Sequence, residues 1–288
     1  MKFSVVIATK DRAPLLDAAL ASLRAQEGAP EHELIVVDNG SSDATPGVAR
    51  KHGATYAFVA EPNRGKARNA GIARATGDAI VFVDDDVVTP PHFLAAHAKA
   101  HHDEIFPLAV SGPILNVPDA SHRPKPTGAN VSRAFFVTCN VSVRAASLRA
   151  VGGFDEDFDL YGWEDTELGA RLRAHGVRRG FAWEAYLWHI KPPTPESLED
   201  ALDKAIEKAR MAARFVRKMP TARIKLATGA YAFNLARARV LAPPLAQPLF
   251  AGLASSKHIP AALAQLARTA LLDSVYTEEL ERQLRRRD

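Results

Sequence analysis

Asp84, Asp85 and Asp86 stand in a row directly after the apolar run Ala79-Ile80-Val81-Phe82-Val83. A short apolar run bounded by a glycine, here Gly77, reads as a buried strand, which puts the acids at its carboxyl end. Open α/β sheets bind ligands at that edge. Alternate residues of an extended chain point the same way, about 7 Å apart, so Asp84 and Asp86 can face one ligand. Two carboxylates about 4 Å apart repel by roughly 4 kcal/mol at an effective dielectric near 20. A hard divalent cation removes that cost, and Mg²⁺ or Mn²⁺ prefers carboxylate oxygens together with phosphates of a ligand. An acidic turn after a strand is the plain alternative, and these three residues by themselves do not decide between the two.

The elements that must position these acids alternate. Phe3–Ala8 is an apolar run, followed by a helical pattern through Leu15, Leu16, Ala19, Leu20 and Leu23. Leu34–Val37 reads as a second strand, ending in the turn-forming Asp38-Asn39-Gly40-Ser41-Ser42, with Ser42 or Asp43 placed to cap a helix toward Lys51. Thr55–Val59 is a third strand, Gly65–Ala75 a helix, Ala79–Val83 the fourth strand, and Pro90 to about His102 a further helix. This order predicts an α/β fold with a mostly parallel, Rossmann-like central sheet flanked by helices. Later strands are expected at Ala109–Val117, Phe135–Val143 and Arg179–Ile190, a helix at Trp163–His175, and a loop over the proline-containing Pro118–Ala129. Pro192-Pro193-Thr194-Pro195 reads as a stiff break, after which everything reads helical. The expected division is therefore an α/β domain at 1–195 and a basic helical extension at 196–288. A dinucleotide-binding glycine fingerprint should follow the first strand. Ala8-Thr9-Lys10-Asp11-Arg12 stands there instead, without glycine, which argues against dehydrogenase chemistry.

Composition separates the same two parts. Residues 1–195 carry 21 Lys+Arg against 23 Asp+Glu, whereas residues 196–288 carry 16 against 10. No acidic residue occurs between Glu207 and Asp273, while eleven basic ones do. A single cysteine, Cys139, excludes an intrachain disulfide framework, suits a reducing compartment and reads as core. The first apolar run is too short for a signal peptide. No charge-free apolar run reaches the roughly 20 residues of a spanning helix, so a cytoplasmic protein is expected.

Six segments together resemble the family-2 class of inverting nucleotide-sugar glycosyltransferases with the GT-A fold. They are Val5-Val6-Ile7-Ala8-Thr9-Lys10-Asp11-Arg12, Ile35-Val36-Val37-Asp38-Asn39-Gly40-Ser41-Ser42-Asp43, Asn63-Arg64-Gly65-Lys66-Ala67-Arg68-Asn69-Ala70-Gly71, Phe82-Val83-Asp84-Asp85-Asp86, Gly152-Gly153-Phe154-Asp155-Glu156 and Gly162-Trp163-Glu164-Asp165-Thr166-Glu167-Leu168. The resemblance spans residue 3 to about 191 and implies roles for particular residues. Thr9 and Asp11 would contact base and ribose, and Asp38 would accept the imide proton of a uracil, or cap the next helix as an Asx turn, or both. Arg68, and with less support Lys66, would approach ribose or diphosphate; a solvated basic face is the alternative. Asp86 and His189 would hold a Mn²⁺ or Mg²⁺ ion, Asp84 the ribose or donor sugar, and Asp85 would point away from the metal. Trp163 would wall the sugar or acceptor site.

The resemblance also implies that Asp165, in the Glu164-Asp165 pair, is the catalytic base. On a helix, Asp165, Leu168 and Leu172 share one face, so the carboxylate stands at the margin of an apolar surface, where desolvation favours general-base work. Glu164 is expected among the substrate-binding residues, with an acid that only complements a helix dipole as the alternative. The implied reaction moves a sugar from a nucleotide-diphosphate sugar, UDP by family habit, to an acceptor hydroxyl, with inversion. A lipid-linked or cell-envelope glycan fits as acceptor.

The tail from 197 lies outside the resemblance. Its basic residues interleaved with Phe215, Val216, Ile224, Leu226, Tyr231, Phe233 and Leu235 suit peripheral contact with an anionic membrane, on its cytoplasmic face. A soluble helical cap and a homo-oligomer interface remain alternatives. Nucleic-acid binding lacks a reading motif. A non-catalytic nucleotide-sugar-binding protein of the same fold is the competing reading of the whole chain.

Overall fold

The computed structural model describes residues 1–102, 106–191, 196–241, 243–256 and 258–286. The expected break at 192–195 lies outside the described residues. Contacts divide the chain into two compact units, Met1–Asp159 with Glu164–Pro193, and Leu160–Trp163 with Thr194–Asp288.

The first unit is built on a seven-stranded sheet. Its early elements run β1 (Phe3–Thr9), α1 (Ala13–Arg24), β2 (His32–Asp38), α2 (Thr45–Lys51), β3 (Thr55–Phe58), α3 (Arg64–Arg74), β4 (Ala79–Val83), β5 (Val87–Val88) and α4 (Phe93–His102). The later ones are β6 (Leu108–Ser111), β7 (Ile114–Val117), β8 (Asn140–Arg144), α5 (Ala145–Ala150), α6 (Glu164–Ala174), β9 (Arg178–Phe181) and β10 (Leu187–Ile190). The large sheet has the order β3-β2-β1-β4-β8-β6-β9, parallel except where β8 runs against β4 and β6. A small sheet, β5-β10-β7, stands beside it.

Both faces of the large sheet are covered, which is why β1, β2 and β4 are apolar almost throughout rather than alternating. The side-chain period of two splits them between two cores. Val5, Ile7, Val81 and Val83 pack with Leu16, Leu20 and Leu23 of α1 and Phe93 of α4. Val6, Ile80 and Phe82 pack on the other face with Ala67 and Ile72 of α3 and with Leu168 and Leu172 of α6. Each fully buried leucine of these stripes contributes about 1.5–3 kcal/mol. Helix α3 lies unusually close to the sheet, since a Cβ on Gly71 would stand 2.4 Å from Val6 Cγ1. Asn63 caps that helix, its side chain accepting from the Lys66 N–H at 2.9 Å.

Two expected strands are each two strands in different sheets. Ala109–Val117 breaks at Gly112-Pro113 into β6 and β7, and Arg179–Ile190 breaks between β9 and β10. The breaks are side by side: a Cβ on Gly112 would fall 1.8 Å from the Ala185 carbonyl oxygen, so the chains cross between sheets in tight contact. Phe135–Val143 is extended only from Asn140, because Phe136 turns into the core against Phe82 and Phe154. The helix expected from Pro90 begins at Phe93.

The second unit is helical: α7 (Leu198–Lys218), α8 (Ala222–Thr228), α9 (Ala232–Leu241), α10 (Gln247–Ala254) and α11 (Ala261–Arg285). Ala209, Ala212 and Ala213 of α7 bury against Leu280 of α11. The basic stretch is less bare than its sequence suggests, because α11 supplies counter-charges. Glu279 accepts from Arg210 at 2.9 Å, Asp273 from Arg237 at 3.1 Å, and Glu281 pairs with Arg239.

Candidate active site

The strand period continues into the acidic row and deals its members to different partners. Asp84 follows Phe82 toward α3 and α6, where its Oδ1 lies 3.9 Å from Arg68. Asp85 follows Val83 toward α1, where it accepts from Thr9 Oγ1 at 2.7 Å and from Arg12 at 3.1 Å. Asp86 meets His189 and Lys191, at 2.9 and 3.2 Å, and shares the Arg12 guanidinium at 3.1 Å. The small sheet causes this meeting: β5 and β10 pair antiparallel with His189 opposite Val87, and the Ile190 N–H donates to the Asp86 carbonyl at 2.7 Å.

On the other side Arg68, with its side chain only 12% exposed, is a hub for three carboxylates. It stands 3.4 Å from Glu164, 3.6 Å from Asp165 and 3.9 Å from Asp84, with its guanidinium over the Phe154 ring. Asp165 Oδ2 accepts from both the N–H and the hydroxyl of Thr138, at 3.0 and 2.9 Å. Its Oδ1 is buried and has no hydrogen-bond partner among the described residues. One carboxylate oxygen is thus fixed by Thr138, and the other makes no hydrogen bond but faces the Arg68 guanidinium at 3.6 Å.

Acids and cations interleave in this cluster. Asp84, Asp85, Asp86, Glu164 and Asp165 gather with Arg12, Arg68 and Lys191, while Arg64 acts on Glu164 and His189 faces Asp86. Burial pushes the Asp84 carboxyl up, against the pull of Arg68. It also pushes Asp85 up, against Thr9 and Arg12. Glu164 is raised by burial and then by the Asp165 charge. Asp86 differs: burial pushes it upward, but His189, Lys191 and Arg12 outweigh that and hold it at about 2. It stays ionised.

The residues fit a divalent ion. Asp86 Oδ1 and His189 Nε2 are both buried and face each other as an ion pair at 2.9 Å, with no further hydrogen-bond partner among the described residues. Adjacent ligands of an octahedral ion with bonds of about 2.0–2.1 Å stand about 3 Å apart, so the spacing of this ion pair is also one at which both groups can hold one metal. A second donor set shares the imidazole: ligand atoms of Asp84, Cys139 and His189 all lie within 4.8 Å of one another. Burial, with the Asp84 and Asp86 charges, pushes the Cys139 thiol well up.

The other expected residues have more structural roles. Asp38 is fully buried, its oxygens accepting from the Ser41 N–H at 2.7 Å and the Tyr56 hydroxyl at 2.8 Å, an Asx turn at the end of β2. Burial and that carboxylate push Tyr56 up to about 12. Asp11, in the left-handed region at φ 51°, accepts from the Ser42 N–H at 2.7 Å and joins the loops after β1 and β2. Lys66 is drawn to Glu61 on the surface at 3.0 Å and is not among the clustered groups. Trp163, at φ 73°, belongs to the helical unit, where its indole N–H donates to the Lys208 carbonyl at 2.9 Å. Asp85, expected to point away from the metal, is held by Thr9 and Arg12.

Four residues of the cluster were not among the expected ones: Arg12, Thr138, Cys139 and Lys191. Arg12 and Lys191 carry a signal in the sequence, each being a cation beside an expected site residue. Thr138 and Cys139 carry none, because they lie in a run that reads as strand.

The model of the family described as "Glycosyl transferase family 2" matches residues 4–148, and that of "N-terminal domain of galactosyltransferase" matches residues 123–192. A validoxylamine A glucosyltransferase of Streptomyces hygroscopicus subsp. limoneus is 34% identical over 262 residues, covering 76% of this chain and 57% of its own length. The counterpart from subsp. jinggangensis is also 34% identical, covering 76% and 61%. This chain thus spans about three-fifths of the length of those relatives. Among solved structures, a mannosyltransferase from Pyrobaculum calidifontis in complex with GDP-Man and Mn²⁺ superposes with a TM-score of 0.66 at 22% identity, covering 98% of this chain and 86% of that one. S. aureus TarS 1-349 in complex with UDP-GlcNAc gives 0.54 at 21% identity, covering 98% and 91%. At such identities these likenesses show the fold, with its mostly parallel central sheet.

Proposed function

Because the chain belongs to glycosyl transferase family 2, we propose that it moves a sugar from a nucleotide-diphosphate sugar to an acceptor hydroxyl, inverting the anomeric configuration in one displacement. The observation that carries this reading is the gathering of Asp84, Asp86 and His189 just beyond the end of β4, with Asp86 Oδ1 2.9 Å from His189 Nε2. A divalent ion held there would neutralise charge building on the departing nucleoside diphosphate.

The chain's own residues supply the rest. Asp165 acts as general base through Oδ1, while Thr138 holds its other oxygen and fixes the carboxylate plane. Arg68 keeps Asp84, Glu164 and Asp165 close together despite their repulsion. Arg12 and Lys191 flank Asp86 and offer positive charge toward a diphosphate. Thr9, Asp11 and Asp38 end β1 and β2 at the edge where the nucleoside would lie. Asp38 is buried with both oxygens engaged by Ser41 and Tyr56, so UDP is the nucleotide we favour from the family resemblance of the segment that ends β2 and not from that carboxylate. Alignment of the two substrates and fixed electrostatics would provide most of the barrier reduction. A binding protein without turnover is the weaker reading, since it needs neither a fixed base nor its fixing threonine.

A thermal-shift panel of nucleotide sugars with and without Mn²⁺ tests this function. A donor that stabilises the protein only when metal is present supports it, by about 2.7 kcal/mol at a hundredfold excess over the dissociation constant. Failure of every nucleotide sugar with every divalent ion overturns it.

For the acceptor, we favour a lipid-linked one reached at a membrane surface. Phe233, Val240, Leu245 and Leu249 of the helical unit are exposed by 75, 78, 95 and 63%. Among the described residues no helix is long and apolar enough to cross a membrane, which leaves an interfacial contact. Co-sedimentation with anionic liposomes that survives replacing Phe233 and Leu245 by Ser would remove this part.

A further inference from the structure

We propose that Asn140 is a positioning residue of this site, which locks the turn carrying Thr138, and through it Asp165, onto the chain that delivers His189. The inference rests on the proposed sugar transfer and adds to it a residue that acts through others. Asn140 is fully buried and is engaged in three directions. Its backbone N–H donates to the Val137 carbonyl at 3.0 Å, closing a turn whose central residues are Thr138 and Cys139. In the sheet it pairs with Val83, the residue before Asp84. Its side-chain amide donates to the Ala185 carbonyl at 2.8 Å and to the Pro113 carbonyl at 3.2 Å. Pro113 also accepts from the Leu187 N–H at 3.1 Å, so the amide grips the start of the strand that holds His189.

A run of buried hydrogen bonds fixes which way that amide faces. With its N–H groups engaged by two carbonyls, Asn140 accepts at Oδ1 from His97 Nε2, at 3.1 Å. His97 stays neutral, held at about 3 by burial and the neighbouring imidazole, so its Nδ1 carries no proton and accepts from the Ser142 hydroxyl at 2.8 Å. Ser142 Oγ in turn accepts from His101 Nε2 at 2.9 Å. Flipping the amide would set its oxygen against two carbonyls and its N–H groups against an imidazole N–H. A satisfied buried network of this kind admits one arrangement. The Ala185 carbonyl is also pressed by the Gly112 backbone, where a Cβ would fall 1.8 Å from its oxygen. Thr138 and the strand of His189 are thereby held in one arrangement, and the base and the metal ligand with them.

The test compares the full wild-type chain with Asn140→Ala, His97→Gln and His97→Leu, and with Leu20→Ala, which opens a cavity in the same sheet unit outside this run. Turnover and donor KM are measured with Mn²⁺ and a donor from the thermal-shift panel, at a temperature where circular dichroism shows the variants folded. Amide hydrogen exchange without ligand is followed at Thr138–Asn140 and at Leu187–Ile190. Asn140→Ala should lower kcat about 10–100-fold and leave donor KM within about threefold, because misplaced groups slow the reaction without loosening the donor. Exchange should quicken at both segments. His97→Leu should show part of the same loss, and His97→Gln, which can still donate to Asn140 Oδ1, should restore most of it. Leu20→Ala should keep kcat within about threefold, being independent of the network. An unchanged kcat in Asn140→Ala, a loss matched by Leu20→Ala, or a loss confined to donor KM overturns the proposal. If wild type transfers no sugar from any donor, the proposed function falls, and exchange alone decides whether Asn140 locks the two segments: unchanged rates at either one in Asn140→Ala overturn that. Should Asn140→Ala fail to fold, His97→Leu carries the same comparison.

Discussion

The two units use their acids in opposite ways. In the sheet unit, five carboxylates crowd together at the ends of β4 and α6, three of them sharing the one Arg68 guanidinium, and Asp165 Oδ1 makes no hydrogen bond among the described residues. In the helical unit, the acids of α11 pair off with the arginines of α7 and α9. Burying unbalanced charge is expensive, so a fold keeps it only where a ligand restores the balance. Exposed pairs are cheap and contribute little. Charge that the chain leaves unmatched marks the place where something binds, and charge that it matches marks architecture.

The sharpest way to break this contrast is Asp165→Asn. General-base removal costs typically about 10²–10⁴-fold in turnover. Because Thr138 can still donate to the remaining carbonyl oxygen, donor affinity should stay within about twofold. Equal losses in turnover and donor binding, measured by kinetics and calorimetry, would make Asp165 a binding residue instead. Arg68→Ala should come next. It leaves Asp84, Glu164 and Asp165 without their shared cation, and breaking such a buried cluster costs about 3–5 kcal/mol. Urea unfolding should show this loss, and adding Glu164→Gln should recover part of it. A destabilisation under about 1 kcal/mol would mean that the three carboxylates do not depend on Arg68.

Much of this contrast is legible in the amino-acid sequence, for a physical reason. The period of two that makes Val81 and Phe82 face different cores also sends Asp84 and Asp85 to different partners, and an apolar run followed by acids shows that in one dimension. Asp86, Asp165 and His189 are accessible through motif order. Cys139 and Thr138 are not, because their placement depends on Phe136 leaving the strand to join Phe82 and Phe154, a choice made by packing at long range. The division of one apparent strand into β6 and β7 does leave a mark, the Gly112-Pro113 dipeptide, since proline removes a ladder donor and the close approach of Ala185 demands glycine. In the helical unit the acid-free stretch suggests a bare cationic surface. Only the return of α11 shows part of that charge to be paired.

A third treatment of charge is suppression, and it sharpens the contrast through pH. His97 and His101 flank Ser142 beneath the sheet, with Ser142 Oγ 2.8 Å from His97 Nδ1 and 2.9 Å from His101 Nε2. Asn140 Oδ1, 3.1 Å from His97 Nε2, accepts there because the Asn140 amide donates to the Ala185 and Pro113 carbonyls. Burial, with the neighbouring imidazole, holds His97 down at about 3, and burial with the Arg144 charge holds His101 at about 4. Both stay neutral in the folded state while the unfolded chain takes up protons below about 6.5. Stability is therefore full above that pH and falls as pH drops from about 6.5 toward 4 for His101 and toward 3 for His97. The slope is at most about 1.4 kcal/mol per pH unit for each histidine. His97→Gln, able to keep one hydrogen bond, should flatten this slope in pH-dependent urea titrations. An unchanged slope would show that other groups govern the acid transition.

The smallest effect belongs to the paired side of the contrast and tests it most directly. Arg210 and Glu279 form a 2.9 Å pair whose arginine side chain is 44% exposed and whose carboxylate is 8% exposed. Burial pushes Glu279 up, but Gln283, Arg210 and Arg282 together bring it below its ordinary value. A lowered carboxylate stabilises above its unfolded pKa and loses that contribution as pH falls through the folded one. The pair should thus contribute at pH 7 and vanish at strongly acid pH. A double-mutant cycle with Arg210→Ala and Glu279→Ala should give a coupling of about 0.2–1 kcal/mol at pH 7, smaller in high salt. Arg282 also reaches Glu279, so Arg210→Ala alone leaves the carboxylate with a cation and should cost little. A coupling of several kcal/mol here, comparable to that expected around Arg68, would erase the distinction between matched and unmatched charge. The acids of α11 would then deserve the same functional scrutiny as those at the end of β4.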